Sequence, residues 1–449
     1  SGEPTGGVNE GARLLIRSNW YADMLGMSGD LDDALSRANR ELARSGITTL
    51  QDAIVSPDSL AAYGRLEERG EMSFRLRAAM EEPGSEDIEA IDAHLAKLSD
   101  LREQYKDYEY VSADGVKLFA DAVLEGNPMT LPPTLPVAAV LNGFKQPIFG
   151  GSIEDGTFDV VGYVDQDREA CRTVQMSPDA FSARDRVDAF VTEYGFYPQQ
   201  CIPQSGVLEH EETYIQNYVR KTTEAGFHVH IHALSDKGVR VAVDALGAVK
   251  DIADRLGTTQ SLSHVQLAHP DDQARIGDLG ISVAFTFAWA VPGVEYNMMV
   301  IPFIEEVAGI DDLFNPDTYY MQNVYPAKAI QDAGGILVHG SDAPVDTRDP
   351  RPFVNLQASI TREFDGRTLN ADQRIDIHSA IEAFTVNGAR LMGHDDRVGS
   401  LEVGTKADII ALSQNIVELA ESGDPGRIAA TEVTLTVFDG RVVHEVGTN

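Results

Sequence analysis

The chain has 449 residues, with 36 Lys and Arg against 71 Asp and Glu, a formal charge of −35 with His neutral. Such a surplus of carboxylates repels nucleic acid and anionic lipid surfaces, and 43% hydrophobic with 24% charged residues is the balance of a folded protein rather than a disordered one. Two cysteines, Cys171 and Cys201, exclude a disulfide framework while allowing one bridge, and no run reaches the roughly 20 apolar residues of a membrane helix.

In chain order, residues 31–45 read as an amphipathic helix stopped by Gly46, and 47–50 as a strand running out into Gln51 and Asp52. A second strand is expected at 73–80, a helix at 91–104 and a third strand at 115–120. The stretch of about 121–187 is irregular in pattern, with Pro and Gly scattered through it, and reads as an elaborated loop over a site. Helix 211–225 then leads to strand 227–233, helix 237–255 to strand 261–268, helix 270–278 to strand 281–288, and helix 325–333 to strand 335–339.

Strand and helix in alternation call for parallel strands joined by crossover helices. No Gly-x-Gly-x-x-Gly turn follows any strand, so a (β/α) barrel of TIM type is expected rather than a doubly wound sheet. Seven strands can be counted from Ile47, one short of the eight in such a barrel. The expectation is that an upstream segment of the same protein supplies the first strand. Residues 404–412 and 432–443, the latter a hairpin turning at Asp439-Gly440, read as part of a small β-sandwich domain. The expected division is therefore 1–399 for the barrel, including the irregular insertion, and 400–449 for part of the β domain.

His228, His230 and His232 alternate and so point to one face of their strand. Over a span of about 13 Å they cannot share one ion, and the active face of a barrel lies at the C-terminal strand ends. His232 is therefore the candidate ligand, with His230 a layer deeper. His264 lies near the end of the next strand, where it can meet His232; His269 follows as a loop or substrate residue. Asp342 comes just after strand 335–339, in Gly-Ser-Asp, a sequence that also makes plain turns. Lys117 stands inside the apolar run Val116-Lys117-Leu118-Phe119, either snorkelling at a rim or buried for a purpose. A desolvated lysine has a lowered pKa, and its free amine reacts with carbonyls or carbon dioxide.

This order of motifs resembles the metal-dependent amidohydrolase superfamily, and within it the subgroup of N-substituted formamide deformylases. The residues that carry the resemblance are Lys117-x-Phe119-x-Asp121, His232-Ala233-x-Ser235-Asp236 and His264 through His269-Pro270-x-Asp272. Gly340-Ser341-Asp342-Ala343-Pro344-Val345, Thr385-x-Asn387-Gly388-Ala389 and the tail Gly404-Thr405-Lys406-Ala407-Asp408 complete the set. Ser235 stands where the family has Gly, and Ser263 where it has Glu; Gly2 to Gly6 are similar to the loop after the family's first strand.

The resemblance implies a carbamylated Lys117 bridging divalent metal ions, zinc being the expected element. It implies His232 and His264 as ligands, and Asp342 as both ligand and general base. His230, His269, Asp121, Asp236 and Trp289 are then candidates for contacts to substrate or for support of the ligands. The family's His-x-His of the first strand has no counterpart here. The leading reading is a hydrolase that cleaves a C–N bond, amide or formamide-like, through a metal-activated hydroxide. The alternatives are a Schiff-base barrel using Lys117 and a catalytically lapsed, metal-depleted barrel that binds a ligand. A small-molecule substrate is the expected partner, without nucleic acid or membrane; a homodimer is left open, and a cytoplasmic location is the expectation.

Overall fold

The computed structural model describes residues 30–83, 87–345 and 347–447. Gly2 to Gly6 lie outside them. The main sheet is built from β1 (Thr49–Val55), β2 (Arg75–Glu81), β3 (Val111–Phe119), β6 (His228–Ala233), β7 (Gln260–His264), β8 (Ser282–Phe285) and β9 (Ile336–His339). A hairpin of β4 (Pro147–Gly150) and β5 (Asp159–Tyr163) lies between β3 and β6. The seven main strands pair in chain order and are all parallel. Helices such as Ile88–Tyr105, Glu212–Glu224, Asp236–Ala248 and Pro270–Asp278 make the connections. The sheet curls as seven strands of a (β/α)8 barrel, with β1 and β9 unpaired to each other among the described residues.

Alternation explains how the sheet sorts its side chains. Val229 and Ile231 of β6 are 2% and 0% exposed and belong to the apolar core, so His228, His230 and His232 take the opposite, concave face. The register continues that face: Lys117 is level with His230 and Ser261, and Phe119 with His232 and Ser263. At the N-terminal end Arg77 donates to the carbonyls of Leu391 and Met392 at 2.6 and 2.8 Å and reaches Asp114 at 3.1 Å. Its guanidinium and Thr259 also hold His228, which makes that histidine part of the barrel floor.

Most expected elements fall within a few residues of their places; three regions differ. A helix, Pro57–Glu68, follows β1, capped by Ser56 with Pro57 in the first turn. β7 ends at His264 rather than continuing to Ala268, because His264 and Val265 adopt φ of 74° and 43° and turn the chain out of the sheet. The insertion is structured: besides the β4–β5 hairpin it contains the helices Glu169–Met176 and Arg184–Tyr194 and a bridge between Cys171 and Cys201. It has its own small core of Val164, Cys171, Val174, Phe190, Phe196 and Cys201.

Beyond the barrel, β10 (Glu363–Phe364) and β11 (Arg367–Thr368) form a short hairpin. β12 (Ile409–Leu412), β13 (Val433–Phe438) and β14 (Arg441–Glu445) make an antiparallel three-stranded sheet near the C-terminus. It is tied to the barrel by Thr436 Oγ1 donating to the Ala43 carbonyl at 2.7 Å and by an Arg75–Asp408 ion pair. Among the described residues no helix is long and apolar enough to cross a membrane.

Candidate active site

Polar side chains gather on the concave face toward the C-terminal ends of the strands. Lys117 is 3% exposed, and its Nζ donates to Ser263 Oγ at 3.2 Å. Burial pulls its ammonium from the ordinary 10.5 down to about 8, against the opposing pull of Asp342 and Glu82. His230, level with it, has Nδ1 2.8 Å from Ser261 Oγ, and burial with the neighbouring Lys117 charge keeps its imidazole neutral.

His232 and His264 come together at the strand ends, ring centres 4.9 Å apart and steeply inclined. Asp121, fully buried, stands behind His232, with Oδ1 3.2 Å from His232 Nδ1. That carboxylate is itself fixed by the Leu234 and Ser235 amides and by Ser235 Oγ at 2.6 Å. Ser235 caps the helix Asp236–Ala248, and a side chain at Gly238 would put Cβ 2.1 Å from Asp121 Oδ2, so glycine allows the helix to close on the carboxylate. The local sequence His232-Ala-Leu-Ser-Asp thus folds into strand end, cap and support for the imidazole in one turn.

His264 stacks on Trp289 with ring centres 5.5 Å apart. Its Nδ1 is buried without a hydrogen-bond partner, and burial together with His232 and Lys117 holds the ring well below the ordinary histidine range. The strain of two adjacent left-handed residues, one of them β-branched, holds the imidazole at the turn. Asp342 follows β9, also in the left-handed region at φ 50°. Burial raises its carboxyl, while Lys117 and His232 pull it down, which sets the carboxylate within electrostatic reach of both.

The other anticipated residues lie outside this cluster. His269 caps the helix Pro270–Asp278 by accepting from the Asp271 amide at 3.2 Å, a structural task. Asp236 accepts from the Leu141 amide and from Tyr319 Oη, both at 3.0 Å, and lines a cleft of about 420 Å³ with Asn142, Lys145 and Tyr319. Two features escaped the sequence reading. Ser261 and Ser263 share the face of His230 and Lys117, a period-two signal present in Ser261-x-Ser263. Glu82, just past β2, meets His210 at 3.0 Å with both side chains under 10% exposed, and nothing in the local sequence marks that pair.

The donors partly match the needs of a metal ion. Two imidazoles with ring centres 4.9 Å apart lie close enough for one tetrahedral ion, with Zn–N of about 2.0–2.1 Å, to reach a nitrogen of each. Beyond that pair, no three His, Cys, Asp or Glu side chains among the described residues converge closely enough to hold an ion.

A curled parallel sheet with buried imidazoles, an amine and a carboxylate at its C-terminal rim defines a TIM-type barrel with an enzyme-like site. Comparison with known proteins narrows the class. Residues 1–444 match the model of the amidohydrolase family, and the chain belongs to that family. It is 22% identical over 448 residues to the N-substituted formamide deformylase of Arthrobacter pascens, covering 99% of this chain and 66% of that protein. It is 29% identical over 230 residues to an imidazolonepropionase of Bdellovibrio bacteriovorus, covering 51% of this chain and 40% of that one. A metal-dependent hydrolase structure from Pyrococcus horikoshii superposes with a TM-score of 0.56 at 19% identity, covering 92% of this chain and 64% of the other. That likeness is one of fold. The chain spans slightly less than two thirds of the deformylase and of the P. horikoshii protein.

Proposed function

We propose that the chain carries the barrel of a metal-dependent hydrolase that cleaves a C–N bond, amide or formamide-like, in a small-molecule substrate. The observation that carries the reading is the meeting of His232 and His264 at the strand ends, with the desolvated Lys117 and the half-buried Asp342 in electrostatic reach. The deformylase and imidazolonepropionase names of its relatives support the bond type.

His232 and His264 would hold a divalent ion, with zinc the expected element; Asp342 would have to move closer, and Lys117 to be carbamylated, for either to join them as a ligand. When bound, such an ion supplies a water of lowered pKa and polarises a carbonyl. Asp121, 3.2 Å from His232 Nδ1 without a formed hydrogen bond, backs His232 as a charge, and Trp289 positions His264 by stacking. A lysine with its pKa near 8 presents a useful fraction of free amine at neutral pH, the form that takes up carbon dioxide to become an anionic oxygen donor. The Asp342 carboxylate, raised by burial, is suited to take a proton from the attacking water and return it to the departing nitrogen.

The test is metal analysis of the purified chain together with hydrolysis of a panel of N-formyl and N-acyl amines, with and without chelator. Bound zinc or another divalent ion and chelator-sensitive hydrolysis are expected. Full activity in chelator, with borohydride trapping a carbonyl compound on Lys117, would replace this reading by a Schiff-base mechanism.

A further inference from the structure

Ser263 stands immediately before the left-handed turn that presents His264, at the C-terminal end of β7. The parallel register puts it level with His232 and Phe119, while Lys117 lies one layer deeper, level with His230 and Ser261. From that layer Lys117 Nζ donates to Ser263 Oγ at 3.2 Å, with both residues under 10% exposed. Among the described residues this hydroxyl is the one hydrogen-bond partner of the amine, and the Phe119 ring centre lies 5.0 Å from Nζ. The hydroxyl hydrogen of Ser263 is directed at the Ile231 carbonyl over a long 3.4 Å. The residue next to one candidate ligand therefore holds the side chain of another, through a group that can both accept and donate.

Uptake of carbon dioxide reverses what Lys117 requires of that neighbour. The nitrogen lone pair forms the new N–C bond, one N–H proton leaves to water, and the neutral amine becomes a carbamate anion. An amine hydrogen calls for an acceptor, whereas the new carbamate oxygens are acceptors themselves, and a buried anion needs donors. A serine hydroxyl serves both states by rotating about its C–O bond away from the long contact to Ile231; alanine serves neither. We propose that Ser263 is the positioning residue of Lys117, accepting from the amine before carbon dioxide adds and donating to the carbamate afterwards. The inference deepens the proposed function and rests on it. It assigns to β7 two consecutive tasks, Ser263 fixing the lysine and His264 supplying an imidazole.

The carbamate can be measured apart from turnover. Wild type, Ser263→Ala, Ser263→Thr and Ser263→Val, each with excess zinc, are titrated with isotopically labelled bicarbonate. Carbon NMR follows the carbamate, and peptide mass spectrometry after O-alkylation with a trialkyloxonium salt places it in the chain. Label on Lys117 of wild type is expected, with Ser263→Ala needing at least about tenfold more bicarbonate for half occupancy, as for loss of a hydrogen bond to a buried charge. Ser263→Thr and Ser263→Val share one shape and differ in the hydroxyl, so the first should stay within about threefold of wild type and the second should follow Ser263→Ala. That pair decides the matter should Ser263→Ala fail to fold. Equal occupancy in wild type and Ser263→Ala, or in Ser263→Thr and Ser263→Val, overturns the assignment, as does a wild type that takes up no label. Label that follows the hydroxyl in a protein hydrolysing no amide leaves Ser263 in its role and removes the proposed function. Chelator-sensitive hydrolysis with Lys117 unlabelled does the reverse.

Discussion

Replacing Lys117 by Met should stabilise the metal-free protein at neutral pH while abolishing activity. The side chain is 3% exposed and its ammonium is drawn from 10.5 down to about 8, chiefly by burial. At about 1.4 kcal/mol per pH unit, that interval corresponds to about 3 kcal/mol lost by keeping a charged amine in the fold. The sign follows from proton binding. Below pH 8 both folded and unfolded chains are protonated and the whole cost is present; between 8 and 10.5 the folded chain sheds its proton first and stability rises; above 10.5 the cost is gone. Methionine has a similar length and no charge, and Ser263 keeps a second acceptor at the Ile231 carbonyl, 3.4 Å away. Denaturant titrations of chelator-treated wild type and Lys117→Met from pH 7 to 10.5 should show a variant more stable by about 2–3 kcal/mol at pH 7. Its advantage should shrink as pH rises. A variant less stable at pH 7, or a difference unchanged across the range, would refute the claim that the amine is held desolvated.

Asp342→Asn should leave the folding transition in place and lower turnover by several orders of magnitude, since it removes the proton acceptor and keeps the shape; an active Asn variant would remove Asp342 from its role. Asp121→Ala should cost several kcal/mol, because the Leu234 and Ser235 amides and Ser235 Oγ lose their acceptor inside the protein. It should also weaken metal binding by about 10–100-fold, measured by competition with a chromogenic chelator; unchanged affinity would mean that the carboxylate does not orient His232.

The barrel was legible where one physical rule governed a segment. His-Val-His-Ile-His-Ala could only sort its branched aliphatics to the helices and its imidazoles to the concave face, and a lysine between Val116 and Leu118 had few reasons to be there. Where several rules competed, the reading was poorer. Val265-Gln-Leu-Ala268 has strand-like composition, yet the left-handed turn at His264 and Val265 ends β7, a choice made by tertiary contacts. Ser56-Pro57-Asp58 carries a helix start signal, but the helix behind it is only weakly amphipathic and its pattern did not stand out. The Lys117–Ser263 and Glu82–His210 contacts join residues 146 and 128 apart in sequence, and no local pattern encodes them.

The separate core of the insertion has a consequence for how such a protein can change. Cys171 and Cys201 close a loop across a sequence separation of 30, which by chain entropy alone contributes about 3–4 kcal/mol to holding that unit together. The interior around the bridge is made from its own residues, while the β4–β5 hairpin beside it joins the main core through Val160 and meets the barrel side through Tyr163 Oη with the Glu305 carbonyl and the Val307 amide, Phe149 against Phe303, and Asp159 with the Ile310 amide. Substitutions inside the stapled core should therefore leave the packing around Lys117, His232 and His264 largely unchanged, since the two cores are separate. Evolution, or an engineer, can remodel the stapled piece as an interchangeable part while the barrel frame stays constant.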